Sequence, residues 1–178
     1  MGGRLDASGG SLALAMVSDE AARFRTKRNM ITEVSMPFYK CITLAGTLAQ
    51  AQKEEIVGEI TRIHCEATGG LPRFVQIQFE EVKADDIFQN GKPSRAVRLH
   101  ARIRAGRDAA TKLRMLRAYT DLIGRVARVS VEDIMVAFVE TSYENIMEAG
   151  IRLPPPGEEK FWLAQFHNTV PAEAKLRL

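Results

Sequence analysis

One arrangement of apolar and polar residues occurs twice in this chain, and that doubling restricts its possible folds more than any other feature. In the first pass, the apolar run Pro37–Leu44 reads as a strand. Proline is tolerated at the first position of a strand because it has no N–H to give. Thr47 with Gln50 three residues on is a capping-box signature, so a helix is predicted from about Leu48 to Ala67. Its inner face is Ile56, Ile60, Ile63 and Ala67, and Gly69-Gly70 and Pro72 stop it. Phe74–Glu80 then alternates, with Val75, Ile77 and Phe79 on one side and Gln76, Gln78 and Glu80 on the other. This is a β-α-β unit, whose parallel crossover should be right-handed.

After a loop marked by Asn90-Gly91 and Pro93, the same grammar returns. A strand over Arg95–Arg104 sets Val97, Leu99, Ala101 and Ile103 against Arg98, His100, Arg102 and Arg104. Asp108 can cap a helix from about Ala109 to Val129, with Leu113, Leu116, Ile123 and Val126 inward and Arg114, Arg117, Arg125 and Arg128 outward. Ile134–Glu140 closes the second unit as a strand. The prediction is an α/β (α+β) fold: two fused β-α-β units, one four-stranded sheet and two helices on one face. The other face is left bare, and oligomerisation is the natural way to cover it.

The ends read differently. Residues 1–35 hold Gly2, Gly3, Gly9 and Gly10, a short apolar patch and the basic cluster Arg23, Arg25, Lys27 and Arg28. They are expected to be a flexible extension, or a leader that is untranslated or processed, since Met16, Met30 and Met36 are alternative starts. The folded domain should span 36–153. A turn or two of helix is predicted over Tyr143–Ala149, ending at Gly150. The tail 154–178 follows Leu153 with three prolines and then offers Phe161, Trp162 and Phe166, which should pack on the domain or on a neighbouring subunit.

Composition bounds the function. Hydrophobic residues at 46% and charged residues at 26% are ordinary for a globular protein. A net charge of +3 is too small to imply nucleic acid but suits a small anion. No apolar run approaches the ~20 residues of a membrane span. Cys41 and Cys65 lack paired spacing, which points to free thiols in a reducing, cytoplasmic setting.

The residues that could carry chemistry are few. Met36-Pro37 is a sequence from which an initiator Met is normally trimmed. A chain opening at Pro37 has a free secondary amine, and α-amino groups titrate at about 7.7–8.0. Arg104-Ala-Gly-Arg107 places two guanidinium groups where a strand gives way to a helix start, as a carboxylate clamp or simply as two surface arginines. His64 lies beside Ile60 and Ile63, where a structural histidine is equally at home. Glu148 lies between Met147 and Ala149 and fits either a working carboxylate or a solvated one. His100 and His167 have no metal-ligand spacing, and no dinucleotide, P-loop or zinc pattern is present. No metal or cofactor is called for.

Taken together, Pro37, His64, Arg104 and Arg107, Glu148 in Glu-Ala-Gly, and Leu153-Pro154-x-Pro156-Gly157 resemble the tautomerase superfamily. Within it they are similar to cis-3-chloroacrylic acid dehalogenase and its homologues, from Pro37 to about Trp162. The resemblance implies a homotrimer with its active site around an N-terminal proline. It also implies Pro37 as acid/base, His64, Arg104 and Arg107 as ligands of the substrate carboxylate, and Glu148 as the group that activates water. The family's assisting tyrosine is missing, because Ala137 occupies its place in the last strand. The expected function is therefore cofactor-free keto–enol tautomerisation of small unsaturated or 2-keto carboxylates. Addition of water to 3-substituted acrylates or propiolate, as a dehalogenase or hydratase, is the alternative. If Pro37 is not N-terminal, the remaining alternative is a non-catalytic trimeric binding protein.

Overall fold

The computed structural model describes residues 37–155 and 158–169. The predicted extension 1–35, Met36, Pro156-Gly157 and the end of the tail lie outside the described residues.

Strand β1 (Phe38–Leu44) buries Tyr39, Cys41 and Thr43 and leaves the alternate residues toward the other face, so period-2 patterning becomes one covered face. Its end turns tightly: Gly46 takes φ 77° and the Thr47 N–H donates to the Leu44 carbonyl at 3.1 Å. Thr47 thereby closes a turn and does not cap a helix, which corrects the capping-box reading. Helix α1 (Gln50–Thr68) starts after Ala49, whose N–H donates to Gln52 Oε1 at 2.9 Å. Alanine has no acceptor to offer in return, so only half a box forms. Gly69 ends the helix in a left-handed conformation, φ 74°, with its N–H donating to the Cys65 carbonyl.

Pro72–Phe74 forms a 3₁₀ turn and sends Phe74 into a separate core, so strand β2 (Gln76–Val82) begins two residues later than predicted. The loop predicted next contains a small hairpin, β3 (Phe88–Gln89) and β4 (Lys92–Pro93). Asn90 and Gly91 both take positive φ there, 52° and 69°, as in the two-residue hairpin turns that match strand twist.

Strand β5 (Val97–Arg104) leads to helix α2 (Ala109–Ala127), which Asp108 caps as predicted, its Oδ1 accepting from the Thr111 N–H at 2.8 Å. The inner stripe of α2 is Met115, Tyr119, Leu122, Ile123 and Val126; Leu113, expected inward, falls off that stripe and is 47% exposed. Strand β6 (Ile134–Thr141) completes the second unit.

The helix predicted over Tyr143–Ala149 is absent. Tyr143–Asn145 makes one 3₁₀ turn, and Met147–Glu148 (β7) pairs with Ile151–Arg152 (β8) as a hairpin. Ala149 and Gly150 both adopt positive φ, 48° and 78°, which reverses the chain where a helix would have continued. The two hairpins occupy equivalent places in the two halves, so the duplication runs further than the β-α-β units. Helix α3 (Glu159–Thr169) ends the described chain.

The sheet order is β2-β1-β5-β6, with β1/β2 and β5/β6 parallel and β1/β5 antiparallel. Lys40 lies opposite His100 at the middle of the β1–β5 pairing, where an approximate two-fold relates the halves. Both helices cover one face, packing Ile56, Ile60, Tyr119 and Ile123 on Tyr39, Leu99, Ala101 and Ile103. On the uncovered face, Phe38, Met135 and Val139 are exposed, and Phe38, Lys40, Ile42, His100, Arg102 and Val139 line a depression of about 280 Å³. A second core of Phe74, Leu153, Trp162 and Phe166 holds α3 against the 3₁₀ turn and the β7–β8 hairpin. Among the described residues no helix is long and apolar enough to cross a membrane. Leu99, fully buried in β5 against both helices, sets a measurable scale. Leu99→Ala should lower unfolding free energy by about 2–5 kcal/mol in denaturant titration, through lost transfer energy and an uncollapsed cavity.

Candidate active site

The antiparallel register gathers the candidate residues at one end of the sheet. Phe38 lies opposite Arg102, so the turn after β5 arrives beside the start of β1. Pro37 is buried there, and its carbonyl accepts from the Gln76 N–H at 3.0 Å. Alternation along β1 puts Pro37 on the helix-facing side with Tyr39. The equivalent end of the sheet has Val97 where Pro37 stands, and Leu44 and Thr47 where Arg104 and Arg107 stand, with matching bonds from Ala45 to Val82 and from Ala105 to Thr141. The fold is doubled, but this set of residues occurs once.

His64, near the end of α1, is fully buried. Its Nδ1 is 2.8 Å from the Tyr39 hydroxyl, which is 2.7 Å from the Tyr119 hydroxyl. The other ring nitrogen, Nε2, is buried with no hydrogen-bonding partner among the described residues. Burial first, and the charge of Arg107 second, pull the imidazole down to about 3, so it is neutral at physiological pH. Burial likewise pushes both tyrosine hydroxyls up, so they stay protonated, while Arg107 acts in the opposite direction on each. Arg107 is half-buried and donates to the Arg104 carbonyl, which fixes it across the turn.

Arg104 is placed differently from a clamp partner. Its guanidinium is 2% exposed, pairs with Glu159 of α3 at 2.9 Å and donates to the Pro154 carbonyl at 3.3 Å. It joins the C-terminal helix to the end of β5. The structure therefore brings His64 and Arg107 together, while the head group of Arg104 is engaged with Glu159.

Glu148 is on the hairpin and not on a helix. Its Oε2 is buried without a hydrogen-bonding partner among the described residues, and burial pushes the carboxyl up to about 7 against the lowering influence of Arg73. Arg73 lies over the Phe74 ring at 4.8 Å and the Phe166 ring at 5.2 Å. The sequence offers Tyr39 and Tyr143 as phenols that could stand in for the tyrosine absent at Ala137, but singles out neither Tyr119 nor Arg73. Alternation placing Tyr39 on the side of Pro37 was the one available signal; nothing local marks Tyr119 or Arg73. Ala137 lies on the uncovered face opposite His100, and Tyr143 packs in the second core. Cys41 and Cys65 are free thiols, and among the described residues no group of three His, Cys, Asp or Glu could hold a metal ion.

Two fused β-α-β units on one sheet, with a proline opening the first strand, define the tautomerase class of fold. The chain belongs to the family described as "Putative oxalocrotonate tautomerase enzyme", which matches residues 36–166. Among solved structures it is similar to native Ps01740, at 32% identity and TM-score 0.62, over 62% of this chain and 99% of that one. It is also similar to N1, a member of the cis-3-chloroacrylic acid dehalogenase family, at 28% identity and TM-score 0.70, over 79% and 96% of the two chains. A fused 4-OT described as an asymmetric trimer shares the fold at 19% identity and TM-score 0.61, over 65% and 94%. No curated protein matches the chain.

Two measurements probe this geometry. Glu159→Ala takes a counter-charge from the buried guanidinium of Arg104, so it should cost up to about 3–5 kcal/mol of stability. The double change Arg104→Met with Glu159→Leu should recover most of that in the same denaturant titration. The second measurement is stability against pH. Between about 6.5 and 3 the unfolded chain binds a proton that folded His64 refuses, so stability falls as pH falls through that range. Between 4.5 and about 7 the unfolded chain releases a proton that folded Glu148 keeps, so stability falls as pH rises. Glu148→Gln should abolish the second slope and leave the first.

Proposed function

We propose that this protein is a cofactor-independent enzyme of the tautomerase superfamily that moves protons on small unsaturated or 2-keto carboxylates, with Pro37 as acid/base. The observation that carries this reading is the position of Pro37. It opens β1 on the same side as Tyr39 and at the sheet end reached by Arg107. In the sequence given, Met36 precedes it, and an amide-bonded proline has no basic nitrogen. The mechanism therefore requires a mature chain that begins at Pro37.

In that form the amine can take the hydroxyl proton of a 2-hydroxy-dienoate. The enol collapses to the 2-keto form as the ammonium returns the proton to carbon, so no net proton is gained or lost. Arg107 and His64 are proposed to hold the carboxylate, Arg107 by charge and His64 as a neutral donor. Arg104 supports the carboxylate site through its carbonyl, which accepts from Arg107, and by anchoring α3. A cationic neighbour disfavours the ammonium form of Pro37, which favours the base.

Addition of water to a 3-substituted acrylate or propiolate is the second reading, favoured by Glu148. Its carboxyl near 7 is matched to general acid–base work at neutral pH. Ala137 leaves it without the assisting phenol, which places tautomerisation first. A homotrimer fits both readings: the uncovered face carries Phe38, Met135 and Val139, and a fold neighbour is itself described as a trimer.

The test is ketonisation of 2-hydroxymuconate or phenylenolpyruvate by protein whose N-terminus is confirmed as Pro37 by intact mass. Activity should be present and fall by about 10²–10⁴ in Pro37→Ala, the usual contribution of general acid–base catalysis. An acetylenic 2-oxo acid should add to the free prolyl amine and appear as one mass increment on the N-terminal peptide. Protein that begins at Pro37 but neither ketonises nor hydrates these acids would leave a non-catalytic binding protein as the function.

A further inference from the structure

Tyr119, Tyr39 and His64 form a hydrogen-bonded row in which all three residues are fully buried. The row has a direction that can be worked out from its protons. Each hydroxyl has one proton to donate, and a neutral imidazole carries one N–H. The Tyr39 oxygen lies between two partners, so it donates to one and accepts from the other.

Suppose His64 carried its proton on Nδ1. It would then donate to Tyr39, and Tyr39 would donate to Tyr119. The Tyr119 proton would have no acceptor, because its only hydrogen-bonding partner among the described residues is Tyr39. A buried donor left unpaired costs about 1–3 kcal/mol, and in this direction the orphan is the hydroxyl of Tyr119, packed in the core against Tyr39 and Phe138. In the opposite direction Tyr119 donates to Tyr39, and Tyr39 donates to Nδ1. Both hydroxyl protons are then used, and the one donor left over is the Nε2–H, without a partner among the described residues; a ligand oxygen that accepts from it removes the cost, which the opposite direction has no means to do. The edge-on contacts of the rings, 5.5 Å between Tyr39 and Tyr119 and 5.9 Å between Tyr39 and His64, hold the row in register.

From this geometry we infer that Tyr39, backed by Tyr119, is a positioning residue that locks His64 as an Nε2–H donor toward a ligand oxygen. This deepens the proposed function and rests on His64 facing the substrate. His64 then serves as a fixed donor to a carboxylate or 2-keto oxygen and takes no proton during turnover. It also assigns roles to two tyrosines on the covered face, although the family's tyrosine position in β6 holds Ala137. Both hydroxyls are pushed up by burial and so remain donors throughout the working range.

The experiment is a long-range ¹H–¹⁵N correlation spectrum of the uniformly labelled full chain, with the His64 signals assigned by their loss in His64→Gln. A ring proton on Nε2 and an unprotonated, hydrogen-bonded Nδ1 is the expected result. A proton on Nδ1 overturns the proposal, and this arm needs no variant of the tyrosines. The second arm is Tyr39→Phe in protein beginning at Pro37. Loss of one hydrogen bond holding the ring should raise KM about 10-fold with a smaller change in kcat. The His64 ring signals should shift at the same time. Unchanged KM and unchanged ring signals in a folded Tyr39→Phe chain would also overturn it. A chain starting at Pro37 with no activity would sink the enzymatic reading but leave the ring spectrum to decide the tautomer.

Discussion

Antiparallel pairing of β1 with β5, with Phe38 opposite Arg102 and Ile42 opposite Arg98, joins the two halves of the chain head to tail. Strand direction then decides which loops become neighbours. The start of β1 meets the end of β5, so Pro37 and the Arg104–Arg107 turn share one end of the sheet. A parallel pairing would have put Pro37 beside Val97 and the arginines at the far end. The rest of the site depends on this register, because α1 and the β7–β8 hairpin follow from strands it has already placed.

Burial supplies the electrostatics. His64 and Glu148 are both pushed toward their neutral forms, one down and one up, because the charged form loses water at each position. Arg104, at 2% exposure, is paired with Glu159 and donates to the Pro154 carbonyl. The outcome is a site end with fixed cations, a neutral imidazole and a carboxyl near neutrality. Such a set is suited to binding a small anion and moving its protons. The pair also makes α3 part of the site's support, since the helix that caps the second core is the one that holds Arg104.

Much of the architecture was legible from alternation and capping. β1, β5, β6 and α2 were predicted nearly to their ends because their apolar residues recur at the local period of strand or helix. The misses share a cause. Thr47 has the chemistry of a cap, but a Gly46 turn used its backbone first; Ile146 and Met147 are apolar enough for a helix, but Ala149-Gly150 reverse the chain. In both places a tight turn overrode a pattern spread over several residues.

By itself the sequence determined the order of elements, the bare sheet face, and the presence of proline, histidine, arginines and a glutamate at positions resembling the tautomerase superfamily. Local periodicity and turn chemistry suffice for the first two, and residue identity for the third. Only the tertiary structure decided what each group touches. The Tyr39–Tyr119 bond spans 80 residues and the Arg104–Glu159 pair spans 55. No local pattern encodes either one. Proton direction, charge partner and desolvation are properties of neighbours, and these neighbours meet only after the sheet has closed and both helices have packed.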